Sequence, residues 1–319
     1  MKTMTAAAAL AACLSLGLAA PAFAQSHGAH GAHAAHGGQH GHQHAAFESG
    51  RFHVRVDGPE QPVGDIILIP GLTSSPEIWQ GLTDELKGRY RIHRIHVQGF
   101  AGAPAEDNAT GPVAAPVAED LARYIAEQNL NKPIVIGHSM GGTIGMMLAA
   151  RHPDSVGKLM VVDMIPFMGA MSAQPGTNPT VESVTPAVEA MSAQSAAATD
   201  EAYRAQMAAA VIGMIKTESL RAGPLEDAAT SHRATTQNAY RELLLTDLRG
   251  ELSRITAPVE VLYVAFNFPG APEGFTDGVY RMSYATLPSA QLKRIDDSAH
   301  FIMLDQPAAF LAEVNAFLE

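Results

Sequence analysis

Residues 133–150 read Pro-Ile-Val-Ile-Gly-His-Ser-Met-Gly-Gly-Thr-Ile-Gly-Met-Met-Leu-Ala-Ala and decide the fold. The β-branched run predicts a strand, and the small and apolar residues at its other end predict a helix. Between them, Gly137, Ser139 and Gly141 form the pattern G-x-S-x-G, in which a strand turns sharply into a helix. Glycines at both flanking positions let neighbouring backbone pass closely. We therefore predict that Ser139 lies at the tip of a strained elbow and acts as a nucleophile.

The setting of this pattern makes it specific. The bare pattern is weak, since three fixed residues recur by chance in roughly one chain in ten of this length. The alternative is a glycine-rich helix entry with an ordinary serine, and the strand before and helix after it argue against that. At these residues the chain resembles the α/β-hydrolase superfamily, and the resemblance extends over most of residues 51–319. It implies a nucleophile, an acid and a histidine in that chain order, with no cofactor.

Apolar or β-branched runs alternate with helical patterns along the chain. This order predicts the α/β class, a twisted and mostly parallel sheet flanked by helices. Strands are predicted at residues 52–56, 65–69, 91–97, 132–136, 158–163, 259–264 and 291–295. Helices are predicted at residues 76–86, 116–128, 140–151 and 307–317.

The strand pattern stops between residues 166 and 252, where residues 187–198 and 200–215 predict helices. This helical insertion resembles the cap or lid of the superfamily, which lies over the catalytic end of the sheet. We expect a cap at 166–252 between two parts of the core, residues 47–165 and 253–319. Methionines of the cap either line an adaptable apolar pocket or pack the cap onto the core; they are Met168, Met171, Met191, Met207 and Met214.

Residues 1–24 have the form of a signal peptide. A basic start at Lys2 precedes an apolar stretch, and Pro-Ala-Phe-Ala at residues 21–24 provides an A-x-A cleavage site. We predict export to a periplasm or out of the cell, with cleavage after Ala24. The alternative is a lipoprotein site, Leu-Ala-Ala-Cys at residues 10–13, that leaves Cys13 lipidated. Because the chain has one cysteine, cleavage after Ala24 excludes disulfides and cysteine-ligated zinc.

Residues 25–46 predict a disordered tail, because no apolar residue there is larger than alanine. The tail contains seven histidines, His27, His30, His33, His36, His40, His42 and His44. Neutral imidazoles in such tracts bind copper, nickel or zinc weakly, which is one interpretation. The alternative is a flexible exported tail with incidental metal affinity. Since the tail lacks fixed geometry, we predict no catalytic metal site there and no metal in the fold.

The charge balance limits the partners. The formal net charge is −11, which argues against nucleic acid as a ligand. After residue 24 no apolar run approaches the length of a membrane span, so we predict no integral membrane segment. A small-molecule ester is the expected partner.

A serine hydroxyl needs a general base, and that base needs an acceptor that fixes its tautomer. His152, His232 and His300 follow Ser139 in the chain. His300 comes after the last predicted strand and before a closing helix, which resembles the catalytic-histidine segment of the superfamily. We predict His300 as the base; the alternative is a loop histidine that only caps or packs.

The acid has several candidates. In most members of the superfamily that this chain resembles, the acid follows the strand that corresponds to residues 259–264. This chain has Asn267 at that position. An asparagine amide accepts a hydrogen bond from imidazole but lacks the negative charge that stabilises the imidazolium. Replacing the aspartate of a serine triad by asparagine lowers the rate roughly 10⁴-fold. Some branches, including haloalkane dehalogenase relatives, use the end of the preceding strand, here Asp163, at the carboxyl edge of the sheet. We predict Asp163, with Asn267, Asp277 or Glu273 as alternatives, or with Asp163 only capping the first turn of the cap.

Two backbone N–H groups are expected to stabilise the oxyanion. Met140 directly follows the nucleophile, and Leu72 lies in the turn Pro-Gly-Leu-Thr at residues 70–73, where the superfamily usually has His-Gly. Trp79, the single tryptophan, lies on the next helix. It either contacts the substrate or belongs to the core.

These residues predict an exported serine hydrolase that cleaves carboxylic esters through an acyl-enzyme. Serine at the elbow argues against dehalogenases and typical epoxide hydrolases, whose attack requires a carboxylate. Lactonase, thioesterase, acyltransferase and perhydrolase activities stay open. The rival is a non-catalytic ligand-binding or metal-handling exported protein on the same fold, in which Asn267 marks decay of the site.

Overall fold

The computed structural model describes residues 47–173, 177–266 and 272–319. The predicted signal peptide with Cys13, the predicted histidine-rich tail and Asn267 lie outside the described residues. Over the described ranges, no helix has the length and apolar character needed to cross a membrane.

Within these ranges, seven strands form one sheet in the order β1-β3-β2-β4-β5-β6-β7. The strands are β1 (Phe52–Asp57), β2 (Asp65–Ile69), β3 (Arg91–Val97), β4 (Ile134–His138), β5 (Lys158–Val162), β6 (Val259–Tyr263) and β7 (Gln291–Arg294). β1 pairs with β3 in antiparallel orientation, and the other neighbours are parallel. The predicted α/β class with a mostly parallel sheet is confirmed, and the strand ends agree with the prediction to within two residues.

The largest shift is in β4, which begins at Ile134 rather than at residue 132. Lys132 has a left-handed φ of 47°. Pro133 has no N–H to donate to a neighbouring strand. Pairing therefore begins only at Ile134, and β4 continues to His138, where the elbow begins.

Ten α-helices lie in the described residues. They are α1 (Gln80–Leu86), α2 (Ala114–Glu127), α3 (Met140–Arg151), α4 (Val181–Ala197), α5 (Asp200–Met214), α6 (Ala222–Thr230), α7 (Arg233–Leu245), α8 (Phe275–Ser283), α9 (Ile302–Asp305) and α10 (Pro307–Leu318). A 3₁₀ turn at Pro76–Trp79 leads into α1.

The side chains of β2 alternate between two apolar layers. Ile66 and Leu68 belong to the layer that contains Phe310 of α10, whereas Ile67 and Ile69 belong to the layer that contains α3. All four β2 residues are fully buried. A strand covered on both faces is a continuous apolar run, which explains why β2 shows no alternation of polar and apolar residues.

The segment predicted as the cap, residues 166–252, contains α4 to α7. α4 begins at Val181, earlier than predicted, because Thr180 and Ser183 form a reciprocal capping box. α6 and α7 were not predicted. α6 buries only Ala228, and it contains Gly223 and Pro224, residues that disfavour a helix.

Candidate active site

Ser139 lies between β4 and α3 with φ of 53° and ψ of −120°. This backbone conformation is strained for any residue but glycine. Ser139 N donates to Val162 O at 2.9 Å, and Ser139 O accepts from Gly142 N at 2.8 Å. The strand, the strained turn and the helix of the predicted elbow are therefore all present, and the end of β5 holds the elbow in place.

The two glycines of the elbow are required by close backbone contacts. A Cβ atom at Gly137 would lie 2.1 Å from Gly141 O, and one at Gly141 would lie 2.2 Å from Ile69 O. Both distances are far inside van der Waals contact. Any larger residue at either position would separate β4, α3 and the end of β2.

His300 and Asp163 form a buried pair. Asp163 follows β5, and His300 lies in the loop between β7 and α9. His300 Nδ1 lies 2.6 Å from Asp163 Oδ2. The two residues are only 9% and 7% exposed. An ionised carboxylate at Nδ1 keeps the proton on that nitrogen and leaves Nε2 as a proton acceptor.

The other described acid candidates lie elsewhere. Asp277 accepts hydrogen bonds from Tyr263 Oη at 2.9 Å and Arg294 Nη1 at 3.1 Å. Glu273 is exposed. Neither carboxylate has a hydrogen bond to His300, whereas Asp163 does.

Two groups that the sequence analysis missed hold Asp163. Its Oδ1 accepts from Tyr280 Oη at 2.8 Å and from Val264 N at 3.2 Å. Burial raises the pKa of Tyr280 well above its ordinary value, and the charge of Asp163 raises this pKa further. Tyr280 is therefore a neutral phenol that donates its proton. Tyr280 lies on α8, a helix that was not predicted above although its apolar residues recur at helical spacing.

His138 joins the elbow to the His300 loop. The His138 and His300 ring centroids are 4.5 Å apart. His138 Nε2 lies 3.0 Å from the backbone oxygen of His300, so this nitrogen carries the proton and donates. Burial lowers the pKa of His138 well below its ordinary value, and the adjacent His300 lowers this pKa further. His138 is therefore neutral and tethers the backbone of His300.

Ser139 and His300 are not directly bonded here. Across the three described ranges, the link between the elbow and the histidine loop is the bond from His138 Nε2 to the backbone oxygen of His300. In unliganded enzymes the bond between a nucleophile and its base is often long and forms with substrate.

The turn with Leu72 runs beside the elbow. A Cβ atom at Gly71 would lie 3.1 Å from Ser139 Cβ. Thr73 has a left-handed φ of 61°, and its Oγ1 donates to Leu72 O at 2.6 Å. On the other side, Met140 is the first residue of α3, so its N–H has no intrahelical acceptor. Gly71, the residue before Leu72, thus lies against Ser139, and Met140 directly follows Ser139 in the chain.

A small cavity of about 20 Å³ adjoins His300, Asp163 and Tyr280. Its apolar lining consists of Met164, Ile165, Met168, Met171 and Phe266. Met168 and Met171 belong to the predicted set of cap methionines; both line this cavity, and both also pack in or against the apolar core.

Trp79 does not line this cavity. Its side chain is 0% exposed and stacks on Phe310, with ring centroids 6.1 Å apart. This placement corrects the substrate-binding interpretation of Trp79, because a tryptophan enclosed in the apolar layer of Ile66 and Leu68 has no surface to offer a ligand.

The segment 166–252 is hydrogen-bonded to two loops of the site. Asp227 Oδ2 accepts from Ser75 N at 2.9 Å, which joins α6 to the turn after β2. Asp305 accepts from Thr217 N at 2.8 Å and from Ala299 N at 2.9 Å. Both the Leu72 turn and the His300 loop are therefore tied to this segment.

No metal site accompanies these groups in the part of the chain that the structure describes, where no three His, Cys, Asp or Glu side chains form a cluster able to hold an ion. The seven histidines of the predicted tail lie outside that part.

Comparison with known proteins agrees with the architecture. The profile of the alpha/beta hydrolase family matches residues 66–314. A pimeloyl-acyl-carrier protein methyl ester esterase of Citrobacter koseri is 24% identical over 266 residues, which cover 79% of this chain and 92% of that protein.

Solved structures show the same fold. The enol-lactonase from Burkholderia xenovorans LB400 aligns with a TM-score of 0.65 and 18% identity, over 84% of this chain and 96% of that one. An esterase from Exiguobacterium antarcticum aligns with a TM-score of 0.65 and 19% identity, over 84% and 95% of the two chains. Because the family profile covers residues 66–314, well over half of the chain, the chain belongs to the alpha/beta hydrolase family.

Proposed function

We propose that this protein is a serine hydrolase that cleaves carboxylic esters through an acyl-enzyme. Ser139 is the nucleophile, His300 is the general base and acid, and Asp163 is the acid partner of His300. The 2.6 Å hydrogen bond between His300 Nδ1 and Asp163 Oδ2 supports this proposal most directly. Relatives named as an esterase and a lactonase support acyl transfer as the reaction class.

Acylation is the first half of the proposed reaction. His300 Nε2 removes the proton from Ser139 Oγ while that oxygen bonds to the ester carbonyl carbon. The carbonyl oxygen becomes negative, and the N–H groups of Leu72 and Met140 donate to it. The bond to the alcohol oxygen then breaks, His300 returns its proton to that oxygen, and Ser139 carries the acyl group.

Deacylation repeats these steps with water. His300 removes a proton from water, the hydroxide oxygen attacks the acyl carbon, and the proton passes to Ser139 Oγ as the acid departs. Asp163 stabilises the imidazolium of His300 in both halves. Because its carboxylate is buried, this charge interaction is screened less than it would be at the surface.

Ester hydrolysis by site variants tests the proposal. We expect the mature chain to hydrolyse p-nitrophenyl esters, measured from acetate to palmitate, and Ser139→Ala to abolish the reaction. Asp163→Asn should lower kcat by roughly 10³ to 10⁴, because an amide cannot stabilise the imidazolium. Glu273→Gln is the matched control and should stay close to wild type, because the Glu273 side chain is exposed at the surface.

Two outcomes would contradict the proposal. A fluorophosphonate that fails to label Ser139 in folded protein would argue against an activated serine. Wild type without activity and a gain in Asn267→Asp would mean that the acid site has decayed. A non-catalytic ligand-binding protein would then be the better description.

We also propose that the chain is exported, since residues 1–24 have the sequence of a cleavable signal peptide. The mass of the mature protein, purified through a C-terminal tag from a bacterial host, tests this. A chain that starts at Gln25 supports the proposal. A lipid-modified chain that starts at Cys13 supports the lipoprotein alternative, and an uncleaved chain in the cytoplasm contradicts both.

A further inference from the structure

The two oxygens of the Asp163 carboxylate have separate partners. Oδ2 faces His300 Nδ1 at 2.6 Å, whereas Oδ1 accepts from Tyr280 Oη at 2.8 Å and from Val264 N at 3.2 Å. The Val264 bond is the longer of the two on Oδ1. The phenol therefore makes the shorter of the two contacts to Oδ1.

Tyr280 is held firmly in the place where it makes this bond. Its ring stacks on Tyr263, with ring centroids 4.1 Å apart and planes 19° apart. Tyr263 is in turn fixed by its hydroxyl, which donates to Asp277 at 2.9 Å. Tyr280 is only 2% exposed, so no bulk water replaces its hydroxyl at Asp163.

We infer that Tyr280 is a positioning residue, whose hydroxyl fixes the rotation of the Asp163 carboxylate so that Oδ2 faces His300. The inference rests on the serine-hydrolase function proposed above. The Tyr280 hydroxyl donates to Asp163 rather than to Ser139 or His300, so it acts through Asp163. Without its hydroxyl, the carboxylate keeps one donor on Oδ1, and its orientation toward His300 is less constrained.

Tyr284, the residue that follows α8, is one turn after Tyr280 and provides a matched control. Tyr284 is equally buried and lies parallel to Tyr280, with 8° between the ring planes. Its hydroxyl donates to the backbone oxygen of Met164 at 2.7 Å rather than to Asp163. Tyr280→Phe and Tyr284→Phe therefore each remove one buried hydroxyl bond, but only the first changes the partners of Asp163.

The kinetic constants of the full mature chain test the inference. We expect Tyr280→Phe to lower kcat about tenfold with KM within about twofold, because the lost bond orients a catalytic group rather than substrate. Tyr284→Phe should keep the wild-type kcat. Combined with Asp163→Asn, Tyr280→Phe should lower kcat by less than about twofold more, because a residue that acts through Asp163 adds nothing once the carboxylate is gone.

The pH profile provides a readout that a purely structural role would not move. Among the described residues, the titratable groups that face Asp163 and His300 are His138 from β4, Tyr280 from α8, and Tyr284, which follows α8. Loss of the Tyr280 donor leaves more negative charge on the carboxylate, which stabilises the His300 imidazolium. The acidic limb of kcat/KM should therefore move to higher pH, by about half a unit, in Tyr280→Phe alone.

The outcomes separate this inference from the proposed function. A wild type that neither hydrolyses esters nor reacts with fluorophosphonate would overturn the hydrolase proposal itself. An active wild type would overturn only the role of Tyr280 if Tyr280→Phe and Tyr284→Phe had equal kcat and the same pH profile. Thermal unfolding of both variants serves as the stability control. Each variant loses one buried hydroxyl bond, so the two should unfold at similar temperatures and a difference in kcat would not reflect a difference in stability.

Discussion

Asp227 of α6 accepts a hydrogen bond at 2.9 Å from the backbone N–H of Ser75, three residues after Leu72. One turn further, Ser231 Oγ lies 3.4 Å from Thr73 O and accepts from Ala101 N at 2.9 Å. The segment 166–252 thus contacts the turn after β2 at two points. Removal of these contacts should alter the proposed oxyanion donor and not only the stability of α6.

Asp227→Ala should lower kcat for ester hydrolysis about tenfold, because Ser75 N loses its acceptor and the Leu72 turn loses a tether. The free energy of unfolding should fall by about 1 kcal/mol. Glu226→Ala is the matched control, because Glu226 is the exposed neighbour on the same helix. Equal kcat in the two variants, measured with p-nitrophenyl acetate, would show that the tether has no effect on the reaction.

His138 should make stability depend on pH. Its folded-state pKa lies well below the ordinary value of 6.5, because burial and the adjacent His300 disfavour its charged form. Below about pH 6.5 the unfolded state binds a proton that the folded state does not, so stability falls as pH falls. The contribution of His138 to this slope approaches about 1.4 kcal/mol per pH unit and ends at the folded-state pKa.

Denaturant unfolding between pH 5 and pH 8 measures this slope. His138→Gln is the variant to compare, since an amide N–H replaces the donor to the His300 carbonyl and does not titrate. The wild-type curve should fall more steeply than the variant curve below about pH 6.5. If the wild-type and variant curves were parallel below about pH 6.5, His138 would bind a proton in the folded state as it does in the unfolded state.

The sequence predicted those parts of the site that depend on local patterns. The strands were recognisable because buried parallel strands are continuous apolar runs, as in Ile66 to Ile69. The elbow was recognisable because Gly137 and Gly141 are required by contacts within a few residues or with the adjacent β2. His300 was recognisable from its position after the last strand and before a closing helix.

The acid and its support could not be derived in this way. Asp163 and His300 are 137 residues apart, and Asp163 and Tyr280 are 117 apart, so their contacts depend on how β5, β6 and α8 meet. The sequence could therefore place Asp163 among several candidates but could not predict Tyr280. The position of the Trp79 side chain could not be predicted either, because an aromatic residue on α1 or its preceding turn can face either the site or the core.

The elbow glycine Gly141 should be intolerant of a methyl group. Gly141→Ala places a Cβ atom 2.2 Å from Ile69 O, so β2 and α3 must separate, at a cost of about 3 kcal/mol or more in the free energy of unfolding. Gly81→Ala is the control in α1, where a Cβ atom would meet nothing within 4 Å. It should stabilise the protein by roughly 0.5–1 kcal/mol, because alanine favours a helix. Urea denaturation of both variants checks the opposite signs.

Glu242 of α7 caps a helix of the core from a distance. Its carboxylate accepts from Val113 N at 2.6 Å, Ala114 N at 2.7 Å and Ala115 N at 2.9 Å, the first N–H groups of α2. These donors have no intrahelical acceptor, and the helix dipole favours a negative charge there. Glu242→Gln keeps one oxygen but loses the charge, so the free energy of unfolding should fall by roughly 1–2 kcal/mol.

Glu189→Gln is the comparison for this variant. Glu189 pairs with Arg241 at the surface, where both side chains are 46% exposed. Because exposed pairs contribute little, urea denaturation should detect almost no change in Glu189→Gln and a clear loss in Glu242→Gln. The difference should persist in 0.5 M salt, since a half-buried carboxylate bonded to three N–H groups is screened less than an exposed pair. If both variants unfold at the same urea concentration as wild type, the link between α7 and α2 contributes nothing to stability.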